Sequence, residues 1–351
     1  MHVNANGSDP LRGRDLITLR DFDREEIDYI LEVAKDLKKR MAQGDMPRTL
    51  DRKTLYMMFY NSSLRTRNSF ETGMTQLGGN AHYLEPSSVY VPALAGEEEA
   101  FKSERISDVA RVLSQMGEGI ALRIFGDPTD WKYGRGNKII REFAEWSSVP
   151  VLNMLDNMYH PHQGLADAMT MKEKLGDLKD KKITVSWAYS ESTKKTLSVA
   201  HSALMASSFY GMDITLAHPV GFDLDDEVLG DVKKNVKRYG GSFDKVHDMD
   251  EAVEDADVVY AKSWPVKSAI PPEVDEPDWE KAKQMFEDNK DWIINQERMD
   301  KTNDGIYMHC LPASRNQEVT DEVMDGPQSV VFDEAGNRLH AQKAVMSLLM
   351  R

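Results

Sequence analysis

From about Leu55 to its end the chain alternates short apolar runs with longer amphipathic segments, and this rhythm restricts the architecture more than any other feature. A strand that pairs in parallel with the next needs a long crossover, usually a helix, so the alternation predicts an α/β chain with parallel sheets covered by helices. In the first half, strands are expected at residues 54–60, 119–125 and 149–155, and helices near 24–41, 67–77, 106–115 and 137–146. Strands in the second half are expected at 182–188, 213–217, 256–260, 305–309 and 329–332. A length of 351 residues suits about two domains of roughly 100–200 residues each. Residues 165–175 (LADAMTMKEKL) are rich in helix formers and read as the helix joining two doubly wound domains. The expected division is residues 1–162 with 335–351 in one domain and 163–334 in the other, the helical stretch 339–350 packing back on the first. Residues 82–98 and 265–278, rich in Pro, Ser, Val and acid, read as long loops.

Charge and cysteine content narrow the function. Asp and Glu outnumber Lys and Arg by 59 to 44, a net charge of −15, which argues against a duplex-wrapping nucleic-acid binder but allows a local basic pocket. A single cysteine, Cys310, forms no intrachain disulfide and no cysteine-based zinc site, as suits a reducing compartment. The first fourteen residues lack the apolar stretch of a secretory signal, and no run approaches the roughly 20 apolar residues of a membrane span. The expectation is a soluble cytoplasmic protein with no membrane or nucleic-acid partner.

Three polar clusters stand where strands should end. Residues 60–79 read YNSSLRTRNSFETGMTQLGG, with Phe70, Met74 and Leu77 on one helical face, so a helix starts just after the polar cluster. Ser63 and Thr66 offer hydroxyls there, the helix start offers N–H groups, and Arg65 and Arg67 add guanidinium forks: an anion site in outline. Cations at a helix start oppose its dipole, which makes them poor choices for structure alone. The bland alternative is a Ser-capped surface helix with two solvated arginines. Tyr159–Gln163 (YHPHQ) offers His160 and Gln163 as donors to a substrate oxygen. Metal binding by His160 and His162 competes with that reading, although no carboxylate or cysteine lies at a spacing that completes a site. Met308–Arg315 (MHCLPASR) follows a short apolar strand and puts Cys310 at its carboxyl end, as a small hydrophobe or a site residue. Gly134-Arg135-Gly136 is half of a dinucleotide fingerprint, with Ile at 139 where a glycine would belong, and a P-loop is absent.

Taken together, SSLRTR at 62–67, HPHQ at 160–163, HCLP at 309–312 and NRLHAQK at 337–343 resemble the aspartate/ornithine carbamoyltransferase family from about residue 15 onward. The resemblance implies that Ser63, Leu64 through its backbone, Arg65 and Thr66 hold the phosphate of carbamoyl phosphate. Arg123 (in LRIF), His160 and Gln163 would address the carbamoyl group and Arg338 would close the anion pocket, with Arg123, His160 and Thr66 the catalytic set. Cys310 and Leu311 would lie beside the amine substrate. It further implies a homotrimer whose loop around residues 85–104 reaches a neighbour's site, with no cofactor and no metal.

Where enzymes for free ornithine carry Asp-x-Trp and then Ser-Met-Gly, this chain has Ala261-Lys262-Ser263-Trp264 and no Ser-Met-Gly. A lysine there repels an α-ammonium and suits an acceptor whose α-amine is acylated. VVYAKSW, NRLHAQK and residues 187–204 resemble the knotted N-acylornithine carbamoyltransferases, which would put residues 184–204 near a threaded loop. Tyr90-Val91-Pro92, Ser103 and Glu318 depart from the acetylornithine pattern, and Asn153 matches the ornithine-binding asparagine of the ordinary enzymes. Free ornithine therefore stands as the alternative acceptor, followed by another amine or a non-catalytic carbamoyl-phosphate binder.

Overall fold

A computed structural model describes residues 10–85, 87–270 and 276–350. Residues 1–9 and 271–275, which carry part of the leader reading and of the second loop reading, lie outside them. The chain divides into two units. The first comprises residues up to Thr129, Gly134–His162 and the segment from Arg338; the second comprises Asp130–Tyr133 and Gln163–Asn337.

In the first unit, helix α1 (Arg24–Ala42) opens with a capping box in which Asp23 and Glu26 exchange side-chain and backbone hydrogen bonds. Then come β1 (Thr54–Phe59), α2 (Leu64–Gln76), β2 (Asn80–Leu84), the short pair β3 (Val91–Ala93) and β4 (Ser103–Arg105), α3 (Ile106–Leu113), β5 (Gly119–Arg123), α4 (Arg135–Trp146) and β6 (Val151–Leu155). The main sheet is parallel, in the order β2-β1-β5-β6. The chain leaves β1 toward β2 on one side and returns to place β5 on the other. The strand order therefore reverses between β1 and β5, and the crevice at their carboxyl ends is where doubly wound sheets bind ligands. Phe70, Met74 and Leu77 are fully buried and hold α2 on the sheet, each contributing about 1.5–3 kcal/mol. A Cβ on Gly73 would come within 2.8 Å of Met346 Cε, so glycine there lets the C-terminal helix lie close.

Helix α5 (Pro161–Leu175) leads into the second unit: β7 (Lys182–Trp187), α6 (Ser198–Ser208), β8 (Asp213–Ala217), α7 (Asp226–Tyr239), β9 (Ser242–Val246), α8 (Met249–Val253), β10 (Val258–Lys262), α9 (Trp279–Glu287), α10 (Gln296–Met299), β11 (Ile306–Met308), α11 (Asp321–Met324) and α12 (Val331–Leu349). Its parallel sheet runs β11-β10-β7-β8-β9, reversing between β7 and β10.

Three sequence expectations change. Residues 329–332 are not a strand of the sheet: Ser329 forms an isolated bridge with Tyr307, and Val331 already opens α12, which begins well before residue 339. The first loop expectation loses residues 82–84 to β2 and Val91–Ala93 to β3. Strand β9 is unforeseen because its pattern is mostly half-exposed, which leaves no apolar run to read. Among the described residues no helix is long and apolar enough to cross a membrane.

Candidate functional site

The carboxyl edge of the first sheet gathers one group. Ser63, in extended backbone (φ −159°), caps α2 by accepting a hydrogen bond from the Thr66 N–H at 3.2 Å. Thr66 is buried, and its Oγ1 accepts from Arg338 Nη2 at 3.2 Å; Arg338 is itself only 2% exposed. Arg65 is half-buried and Leu64 is 73% exposed on the same turn. Arg123 closes β5 and lies 5.3 Å from the centre of the Phe125 ring. His160 is buried, and its pKa falls well below the usual histidine range, first through desolvation and then through the charges of Arg338, Arg123, His162 and Arg65. Its ring is therefore neutral, set among three guanidiniums near the positive end of α2. Converging positive charge in a partly buried crevice is suited to an anion with several acceptor oxygens.

Arg67 departs from the expectation: it is exposed, donates to Glu71 Oε1 at 3.0 Å and stacks over Tyr83 at 3.8 Å, so it serves the outer face of α2. His162 is fully buried with its ring edge-on to Phe70, 5.0 Å between centres, and its pKa is pushed down to about 3 by burial and Arg338. Among the described residues no group of three or more His, Cys, Asp and Glu side chains is placed to hold a metal. Asn153 is fully buried; its amide nitrogen donates to Ile17 O and Asp156 Oδ2, both at 2.9 Å, leaving Oδ1 without a hydrogen-bond partner. Asn61, which its sequence context did not single out, bridges β1 to β5 by donating to Phe125 O at 3.0 Å and accepting from Phe125 N at 2.9 Å.

A second group belongs to the other unit. Lys262 ends β10, and its Nζ lies 2.5 Å from Glu318 Oε1. Glu318 is fully buried and also accepts from the backbone N–H groups of Ser263 and Ser314, both at 2.7 Å, while His309 Nε2 lies 3.3 Å away. Its carboxyl is held well below the usual range because Lys262 and His309 outweigh desolvation. The repulsion attributed to Lys262 from sequence thus needs correcting: its charge already has a buried carboxylate. Cys310 is buried and its thiol pushed up to about 12, mainly by desolvation, which suits a packing group rather than a nucleophile. Leu311 (φ 54°) donates its N–H to His309 Nδ1 at 2.9 Å.

Gln163, in α5, donates its amide N–H groups to Asp167 Oδ1 at 2.8 Å and Glu334 Oε1 at 2.7 Å. Glu334 also accepts from the His309 N–H at 2.8 Å and the Tyr260 hydroxyl at 3.4 Å. Burial and the Asp167 charge raise its carboxyl well above the usual range, so the two carboxyls share a proton. Asp167 sat unnoticed in the expected helix 165–175, because acid on a helix reads as a solvated face until burial is known, and Glu334 fell between the expected strand 329–332 and the expected helix 339–350.

The family model described as aspartate/ornithine carbamoyltransferase, carbamoyl-P binding domain, matches residues 14–173, and that of the Asp/Orn binding domain matches residues 180–349. The chain is 40% identical to an ornithine carbamoyltransferase of Pyrococcus abyssi, over 97% of this chain and 96% of that one. It is 38% identical to an N-acetylornithine carbamoyltransferase of Xanthomonas campestris, over 95% and 97%. A crystal structure of acetylornithine transcarbamylase complexed with acetylcitrulline superposes with a TM-score of 0.89 at 36% identity, covering 96% of this chain and 99% of that one.

Proposed function

This chain belongs to the aspartate/ornithine carbamoyltransferase family and is a carbamoyltransferase, and on that premise we propose that it carries the carbamoyl group of carbamoyl phosphate to the δ-amine of an N-acylated ornithine. The observation that carries the reading is the hydrogen bond from Arg338 to Thr66 at the capped start of α2. It joins the first and last motifs of the sequence in one cationic crevice that fits a phosphate dianion. Ser63, the Leu64 backbone, Arg65, Thr66 and Arg338 hold the phosphate in this reading. Arg123 and neutral His160 donate to the carbamoyl oxygen, and Gln163 accepts from the carbamoyl N–H.

The step needs no redox chemistry. The neutral δ-amine attacks the carbonyl carbon, charge builds on the carbonyl oxygen where Arg123 and His160 are aimed, and the bond to the phosphate oxygen breaks. The amine gives up one proton, which the departing phosphate carries away. Holding both reactants in line does most of the work.

An N-acylated acceptor is supported by the second unit's charges. Glu318 is engaged by Lys262 and two backbone N–H groups, so an α-ammonium would find no uncommitted carboxylate beside Lys262. Free ornithine is the second reading, favoured by the neutralised charge of Lys262 and by the ornithine carbamoyltransferase relative. Trimeric assembly belongs to the same proposal: Phe101 is 92% exposed and Tyr90 and Val91 are also exposed, apolar surface suited to a neighbouring copy. Sedimentation as a fully active monomer would remove that part.

Phosphate release tests the whole, with purified protein, carbamoyl phosphate, and ornithine, N-acetylornithine, N-succinylornithine, putrescine or aspartate. Turnover of an acylornithine alone is expected. Turnover of ornithine alone moves the assignment to the second reading, and no turnover with any amine overturns transferase activity toward this class. Arg65→Ala should abolish turnover without lowering the urea midpoint.

A further inference from the structure

Resting on the carbamoyltransferase reading, we propose that Lys195 is the residue that selects an acceptor bearing a carboxylate, acting as that carboxylate's cationic anchor. No sequence motif singled it out. It lies in the loop from the carboxyl end of β7 to the start of α6, above the point where the second sheet reverses its strand order. Lys262 ends the neighbouring strand β10, paired at Trp187, and Cys310 follows β11. All three therefore stand over one carboxyl edge.

Two observations separate Lys195 from the other cation. Lys262 is bound to Glu318, whereas Lys195, half-buried and within electrostatic reach of Lys262, Glu318 and Cys310, forms no ion pair or side-chain hydrogen bond among the described residues. Two ammonium groups thus share one carboxylate, which leaves a net positive charge in a place that desolvation makes costly, as the lowered pKa of Lys195 reflects. The start of α6 adds to it: the capping position is Leu197, whose side chain accepts no N–H, so the positive end of a buried helix lies two residues from Lys195. A carboxylate arriving without an accompanying ammonium cancels the excess charge. A zwitterionic end sets its carboxylate on the same contact but brings an ammonium of its own, and an amine with no carboxylate leaves the charge exposed to the low-dielectric crevice.

The test compares each acceptor with its counterpart lacking the α-carboxylate: N-acetylornithine against N-acetylputrescine, and ornithine against putrescine. Lys195→Met should raise KM for the carboxylate-bearing amine at least ~10-fold, as loss of a charge-assisted contact does, with KM for carbamoyl phosphate unchanged. The variant and the unmodified enzyme should treat the carboxylate-free amine alike, and Lys195→Arg should recover most of the loss. An equal loss with both members of a pair, or no loss, overturns the proposal. Binding of N-acetyl-L-norvaline, which keeps the carboxylate and acyl group but has no amine to react, is measured by calorimetry on the same proteins. At least ~10-fold weaker binding to Lys195→Met supports the anchor even if no acceptor turns over, and unchanged binding overturns it even if transferase activity is present. Should Lys195→Met lower the urea midpoint, Lys195→Gln takes its place.

Discussion

Lys262 Nζ and Glu318 Oε1 stand 2.5 Å apart, joining the end of β10 to the segment after HCLP with the carboxylate wholly out of water. Such a pair repays its desolvation only when the remaining lone pairs are satisfied, as Ser263 and Ser314 do here. Removing one partner strands a charge. Lys262→Met should therefore cost about 3–5 kcal/mol of stability. Lys262→Met with Glu318→Leu should cost clearly less than the two single changes together, measured by urea denaturation. Additive losses would mean that the two residues do not depend on each other.

Arg338 and Thr66 make a different kind of contact, one that sets a guanidinium beside the capped start of α2, where the proposed phosphate would bind. Arg338→Met should raise KM for carbamoyl phosphate by more than about tenfold while KM for the amine changes little, since a charge-assisted bond to phosphate is lost. Steady-state kinetics with both substrates varied decides this. A loss confined to the amine KM would detach Arg338 from the anion site.

Hydroxyls and arginines at a helix start conflict with purely structural preferences, and the strand before them is a plain apolar run, so the proposed anion residues stand out in the sequence. Thr66 and Arg338, 272 positions apart, could be joined only through family resemblance, since spacing says nothing about contacts of that range. Arg67 misled for a related reason: two arginines two residues apart on a helix point to different faces, and only Arg65 shares the side of His160. Lys262 was legible as a charge but not as a paired one, because Glu318 reaches it from another strand connection. The long α12 hid behind the apolar run 329–332, where period alone does not separate the end of a strand from the start of a buried helix.

His160 is held neutral by burial and by the arginines around it, so it should donate to the carbamoyl oxygen without titrating in the working range. The dependence of kcat on pH should show no acid limb near pH 6.5, where an ordinary histidine ionises. His160→Gln should lower kcat by about 10²-fold without altering the shape of the profile. An acid limb between pH 6 and 7 that vanishes in the variant would reassign His160 as a titrating acid or base.

Cys310, with its thiol pushed up to about 12, is thiolate in only about one molecule in 10⁴ at pH 8. Iodoacetamide should leave activity intact over an hour at that pH, and Cys310→Ser should keep kcat within about threefold, its small side chain filling nearly the same space. Rapid inactivation blocked by the amine substrate would instead reveal an activated thiol.

Lys343 is buried in the first unit, where its Nζ donates to Gln76 Oε1 at 2.9 Å and touches Met41 Sδ at 3.6 Å, with no carboxylate among the described residues paired to its charge. Burial pushes its pKa down to about 8 from an ordinary 10.5. Between those values the unfolded chain binds a proton that the folded chain does not. Stability from this group therefore rises as pH increases from about 8 to 10.5, and the penalty for burying the ammonium is full below 8. Lys343→Met removes the titrating group while filling much of the same volume. Urea midpoints measured from pH 7 to 10 should show the variant gaining on the unmodified protein at pH 7 and the advantage shrinking toward pH 10. An advantage that stays constant across that range would mean that Lys343 keeps its ordinary pKa in the folded chain.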